Sequence, residues 1–435
     1  MGMKAGKYTA ALVLLAVGIA LIVDLSTGRN VTETLLRWWP VVLIALGVEY
    51  LVLSLVSRES GKKLGIAFGS LFFAAAISLA ALAVSGAAGW QSLLDRVGQF
   101  GWFGDASSYL SEEDGLAVEL EPVRTAVDGG VESVLLRNRI GSVTIRAGDV
   151  EAIEVRGTVR VPESAKNAAD IARRTALQVG RDGGRIEMAV QGGEYRVFGI
   201  KQRPRVDLAV TVPRGLKADW HLDLTSGKVD AAGLKVRDRL RAETVNGEVV
   251  LEDIDGDVTA DSTRGGITVR NVRGSVIANT TFGRIFAEKV SGDVTADTAN
   301  GGVELRDIGG RAVADTTNGE IVLERIGGDA KADTTNGAIF VTEAGGAVKA
   351  DTTNGDVLVR TGAVNGDYRL GSTNGNIQLY LPKDASIEVR GQTSWGTIET
   401  DFPLQKDGRE VKGTAGGGAH KISIETNRNI GIYAN

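Results

Sequence analysis

Over most of the second half of the chain, apolar and polar residues alternate in short runs, and the runs recur. Val294, Ala296 and Thr298 share one parity, as do Ala312, Ala314 and Thr316, then Val348, Ala350 and Thr352. After a glycine, Ile321 and Leu323 match Ile339 and Val341, then Val357 and Val359. The opposite parity carries Asp, Thr, Lys, Arg and Glu. Period two predicts strands with one buried and one wet face. The closing glycines Gly247, Gly265, Gly283, Gly301, Gly319, Gly337 and Gly355 lie 18 residues apart. A second series, Gly256, Gly274, Gly292, Gly310, Gly328 and Gly346, runs in step with them. Asn-Gly and Gly-Gly supply positive φ, so both marks read as tight turns.

One such unit cannot bury its apolar face, but stacked copies can. The pattern therefore predicts an all-β parallel β-solenoid of 18-residue coils with two turns per coil, spanning 223–400. No proline occurs between Pro213 and Pro382, as unbroken ladders require. Ten turn glycines at about 4.8 Å per strand give a rod of roughly 45 Å. Residues 119–222 read as irregular β structure and N-terminal cap, interrupted by one helix over 163–179 with an alanine face (Ala165, Ala168, Ala169, Ala172, Ala176). Residues 401–435 read as strands that close the last coil.

The first 90 residues follow another pattern. Three apolar runs, at 8–23, 38–56 and 64–84, predict an α-helical transmembrane region ahead of the solenoid. A cleaved signal peptide is the competing reading of the first run. Lys4, Lys7, Arg58, Lys62 and Lys63 flank the spans on one side, against Arg29 and Arg37 on the other. That asymmetry predicts a cytoplasmic N-terminus and an extracytoplasmic solenoid. Residues 91–118 read as a juxtamembrane linker. Glu49, inside the second span, is costly in lipid unless it meets a partner, which makes it a candidate contact with another membrane protein.

Candidate chemistry is sparse. The chain of 435 residues has a net charge of −5, no cysteine and two histidines, His221 and His420, at opposite ends of the predicted solenoid. The charge argues against a nucleic-acid surface, and no nucleophile elbow, phosphate loop or His-x-x-x-His spacing is present. The expectation is a protein that is not an enzyme and needs no cofactor. One outward column, Asp261, Asp297, Asp315, Asp333 and Asp351, stacks carboxylates about 4.8 Å apart, which repel unless offset. Lys331 and Lys349 could offset them, and a calcium stripe is the minor alternative. A second outward column, Thr263, Thr281, Thr317, Thr335, Thr353 and Thr373, is a candidate interaction face.

Two stretches carry a resemblance. LRNRIGSVTIRAGD (Leu136–Asp149) with VDLAVTVPRGLKADWHLDLTSGKVD (Val206–Asp230), and EVKGTAGGGAHKISIETNRNIGI (Glu410–Ile432), resemble the bacterial family known as putative adhesin, a membrane-tethered β-solenoid domain of largely unknown function. The family often ends in another Asn-Gly coil, where this chain has Asn427-Arg428-Asn429. WWPVVLIALGVEYLV (Trp38–Val52) resembles the membrane region of Lia-type envelope-stress proteins. Together these imply a bacterial cell-envelope protein, and the length of the rod, its exposed ladders and its lack of catalytic groups favour a module that binds a wall polymer or surface protein. The alternative they imply is an accessory regulator that acts on a membrane histidine kinase of an envelope-stress two-component system.

Overall fold

The computed structural model describes Met3–Ala5, Glu49, Leu64–Ile66, and residues 115–435 except 163, 164, 166, 198 and 199. The chain forms two compact units, Met1–Ser111 and Glu112–Asn435. In the first, Met3–Ala5 pairs in parallel with Leu64–Ile66. The third apolar run thus begins as strand rather than helix, at a Gly-Ile step that disfavours helix initiation. The spans over 8–23 and 38–56, the rest of 64–84, and 91–114 lie outside the described residues, except for Glu49, which is helical and half-buried.

The second unit is a parallel coil of strands. Val294–Asn300, Ala312–Asn318, Ala330–Asn336 and Val348–Asn354 stack in register, each residue against the one 18 positions on. Val303–Ile308, Ile321–Ile326 and Ile339–Ala344 form a second ladder in the same way. The inward Val, Ala, Ile and Leu columns form one continuous core, most of it at 0–2% exposure. Buried Thr280, Thr298, Thr316, Thr334 and Thr352 sit at the end of each first strand. Each donates its hydroxyl to the corner glycine carbonyl of the preceding coil, as in Thr316 Oγ1 to Gly301 O at 3.0 Å. A hydroxyl that would be unpaired in the core closes the corner instead.

The two turns do not work as positive-φ turns at their glycines. Among the corner glycines Gly247–Gly355, only Gly265 has positive φ. Glycine is required there because the coils touch: a Cβ on Gly319 would lie 1.9 Å from the Gly301 carbonyl oxygen, and one on Gly337 1.8 Å from that of Gly319. Positive φ falls at a column of non-glycines before the second mark: Asp253, Asn271, Lys289, Asp307, Arg325 and Glu343, all at φ 54–58. The Asn column is a side-chain ladder, in which Asn318, Asn336, Asn354 and Asn374 each donate Nδ2 to the Oδ1 of the asparagine one coil back.

Both ends of the stack are threaded. Ser133–Ile140 lies between Arg185–Gln191 and Asp219–Ser226, so the first coil in sequence is the second in space. At the other end His420–Thr426 lies between Tyr368–Ser372 and Ile387–Thr393, and Ile430–Ala434 lies between Ile377–Leu381 and Ile398–Thr400. The C-terminal strands do not close the last coil; they form the one before it. With these additions the first-strand ladder runs from Arg185–Gln191 to Ile387–Thr393, thirteen rungs and about 58 Å. Antiparallel strands Ala176–Asp182 and Ala152–Val161 cover the two ladder edges at one end, and Glu410–Ala415 covers Ile387–Thr393 at the other. Covered edges offer no template for further pairing.

The helix expected over 163–179 is shorter. It spans Ala168–Arg173, entered through left-handed Asn167. Residues beyond it, Ala176–Asp182, form a strand that turns at Gly183 (φ 54) into Arg185–Gln191. Leu177 and Val179 alternate at period two, and β-branched Thr175 donates to the Ile171 carbonyl at 2.8 Å, which ends the helix. Of the residues assigned to the linker, Leu116–Glu119 is a strand on Ala152–Val161.

Candidate functional site: an acid–hydroxyl trough

On the outer face of the first-strand ladder, Asp297, Asp315, Asp333 and Asp351 form one wall of a shallow trough of about 650 Å³. Thr317, Thr335, Thr353 and Thr373 form the other. Period two places both residue types outward, and exact register stacks them from coil to coil. Asp261, Thr263 and Thr281 continue the same columns beyond the lining, and Ala299 interrupts the threonines. Glu425 and Asn427 extend both walls, because the C-terminal strand is stacked on Tyr368–Ser372 with Glu425 beside Gly371. The sequence reading did not include Glu425. The signal was present in Ile422-x-Ile424-Glu425-Thr426-Asn427, a copy of the Ala-x-Ala-Asp-Thr-Thr-Asn unit.

Charge along the acidic wall is uneven. Lys331 Nζ sits 2.7 Å from Asp333 and 3.6 Å from Asp315; Lys349 sits 3.0 Å from Asp351 and 3.3 Å from Asp333. Burial pushes the Asp333 carboxyl up, but the Lys331 hydrogen bond and the charges of both lysines outweigh it and hold the group below the ordinary range. In the next coil the balance reverses. Burial raises Asp315, and the flanking Asp333 and Asp297 add to it against Lys331 alone. Asp297 has no ion-pair partner among the described residues, since the outward positions near it are Thr295, Ile277 and Val313. Asp261 accepts from Asn279 Nδ2 at 2.8 Å and has Arg241 at 3.8 Å.

The gaps a calcium ion would fill between Asp315, Asp333 and Asp351 hold ammonium groups, and among the described residues no three acidic or imidazole groups converge as a cation cage. His221 bonds Glu243 at 3.0 Å near one end, while His420 begins a strand near the other. The structure does not bring them together.

The face of the second-strand ladder carries an arrangement that sequence reasoning missed. Its outward positions are Phe286, Glu304, Val322, Phe340 and Leu358 in one column, and Glu288, Arg306, Glu324, Thr342 and Arg360 in the next. Glu304 is only 6% exposed, clamped by Arg284 and Arg306. Such paired burial is what a carboxylate needs away from water.

A family model described as Toastrack DUF4097 matches residues 133–429, nearly the whole stack. The chain belongs to the Toastrack DUF4097 family. Ahead of the Toastrack unit, the LiaF transmembrane domain matches residues 9–104, so the N-terminal part is similar to a membrane-associated domain. No curated protein sequence matches. Among solved structures, the chain is similar at 10% identity to a putative cell adhesion protein from Clostridium sporogenes (74% of this chain, 100% of that one, TM-score 0.18). It is also similar, at 10% identity each, to a putative adhesin (61% and 98%, TM-score 0.34) and a putative lipid binding protein (74% and 98%, TM-score 0.27), both from Parabacteroides distasonis.

Proposed function

We propose that this Toastrack protein is a non-catalytic binding module of the cell envelope, held by its N-terminal segment in the membrane with the β unit on the outer side. The trough carries the reading. Over the three coils of Asp315/Thr317, Asp333/Thr335 and Asp351/Thr353 it offers one carboxylate and one hydroxyl per coil at a repeat of about 4.8 Å, a spacing suited to an extended polymer or an extended segment of a surface protein. A reacting bond needs a cluster of unlike groups at one point, whereas this face repeats the same two groups from coil to coil at its centre. No cofactor enters the reading. The basic residues around the apolar runs support the outward orientation.

The second reading, an accessory regulator of an envelope-stress two-component system with a membrane histidine kinase as partner, is favoured by the LiaF transmembrane match and by Glu49. Crosslinking of the full-length protein in intact cells, followed by mass spectrometry, separates the two. Wall polymer or surface protein, lost when Asp297, Asp315, Asp333 and Asp351 are changed to Asn and retained when the N-terminal segment is replaced by an unrelated anchor, supports the binding module. A kinase lost on anchor replacement and indifferent to the Asp changes overturns it in favour of the regulator.

A further inference from the structure

The second-strand face is self-complementary, and we propose that it joins two copies of this chain with their rods antiparallel. The argument is one of symmetry. Two copies meeting face to face are related by a two-fold axis lying in the interface. If that axis runs along the strand Ile339–Ala344, each column meets its own column with the order of coils reversed. Phe340 then faces Phe340 and Thr342 faces Thr342. Val322 meets Leu358, since the two flank Phe340 on adjacent coils. Glu324 meets Arg360, which flank Thr342 in the same way. One coil further out, Arg306 meets the ring of Tyr380, the same pairing that Arg360 already makes with Tyr380 within the chain at 4.8 Å.

Shifting the axis destroys the match. Centred on the Val322 coil, it sets the Phe340 ring against Glu304. Centred on the Leu358 coil, it sets Phe340 against Gln378 and Glu324, already bonded to Arg306 and Arg325 within its chain, against Tyr433. An axis along the rod instead exchanges the columns and places Val322 on Glu324. Of these three coils, only that of Phe340 sets apolar against apolar in the first column and acid against base in the second, with Glu304 opposite Gln378 one coil further out. Opposite charges brought together by one register and parted by its neighbours fix that register. The partner is therefore a second copy, independent of what the acid–hydroxyl trough on the other face binds.

The chain has no cysteine, so single-cysteine variants of the full-length protein in membranes read the geometry directly. A short bis-maleimide that spans the ~10 Å between facing sheets should link Phe340→Cys and Thr342→Cys chains into dimers. It should link a mixture of Val322→Cys and Leu358→Cys chains more than either alone, and leave Thr335→Cys, on the trough face, monomeric. Glu324→Arg in the Thr342→Cys background should lower the dimer yield about fivefold or more, and adding Arg360→Glu should restore it. Phe340→Cys and Thr342→Cys linking no better than Thr335→Cys, or Val322→Cys alone linking as well as the mixture, overturns the proposal.

Discussion

Gly319→Ala tests why the repeat needs its corner glycine. The added Cβ would lie 1.9 Å from Gly301 O, with Gly301 C at 2.5 Å and Gly302 N at 2.9 Å. All three are backbone atoms, which cannot swing aside. Reaching an ordinary C···O contact of about 3.3 Å opens the two coils by more than 1 Å at that corner. Three hydrogen bonds span the gap: Gly301 N to Asn318 O, Thr316 Oγ1 to Gly301 O, and Asn318 Nδ2 to Asn300 Oδ1, each 3.0 Å. At about 1 kcal/mol net for each, less for the exposed amide pair, their loss destabilises by about 2–3 kcal/mol. In a unit of this size that lowers Tm by roughly 3–5 °C. The assay is thermal unfolding of Glu112–Asn435 followed by circular dichroism, with Gly129→Ala as control, since a Cβ there meets nothing within 4 Å. Gly319→Asn discriminates further. Asn tolerates positive φ, so a conformational role for the glycine would spare it, whereas a steric role makes Asn as damaging as Ala. An Asn variant as stable as the parent would falsify the steric account.

Thr316→Val keeps shape but leaves the Gly301 carbonyl without its hydroxyl donor, and should cost about 1–3 kcal/mol in urea unfolding. Asp315→Asn and Asp333→Asn should have opposite signs at pH 7. The raised folded-state pKa of Asp315 opposes folding above that pKa and the penalty lifts as pH falls through it, so its removal raises Tm at pH 7 and does nothing at pH 3. Asp333, held low, contributes stability above its unfolded pKa that is lost as pH falls through the depressed one, so its removal lowers Tm at pH 7. Lys289→Asn, at φ 57 beside Asn271 in the left-handed column, should stabilise by about 0.5 kcal/mol, because Asn adopts that region more readily; calorimetry decides.

The ladders were legible in the sequence because period two and a fixed 18-residue register state which residues face in and which neighbours they meet. The acidic and threonine columns followed from the same two facts. The ends were not legible, because local pattern says that Ile422–Thr426 is a strand but not which strand it pairs with; that choice rests on contacts such as Thr426 Oγ1 to Gly375 O at 2.7 Å. The alanine stripe over 163–179 misled for a related reason. Alanine suits a helix, yet from Ala176 onward the antiparallel partner Arg185–Gln191 decided the backbone. The left-handed column was hidden because Lys, Arg and Glu carry no sign of it, and only the stacking of one coil on the next imposes it.

The threading of the C-terminal strands has a consequence for how the protein is completed. Ile387–Thr393 touches no other coil of the stack except through His420–Thr426. A growing chain can wind coil on coil as far as Leu381, but the segment after it has nowhere to settle until His420–Thr426 slides into the seat between. Synthesis cut short before His420 therefore forfeits two coils rather than one, and leaves Tyr368–Ser372 with a bare edge. Beyond these strands, Asn435 bonds the Leu381 and Thr361 carbonyls and ties the segment back to the coils beneath it. Closure of this end of the rod waits on strands that come later in the chain than the coil they seat.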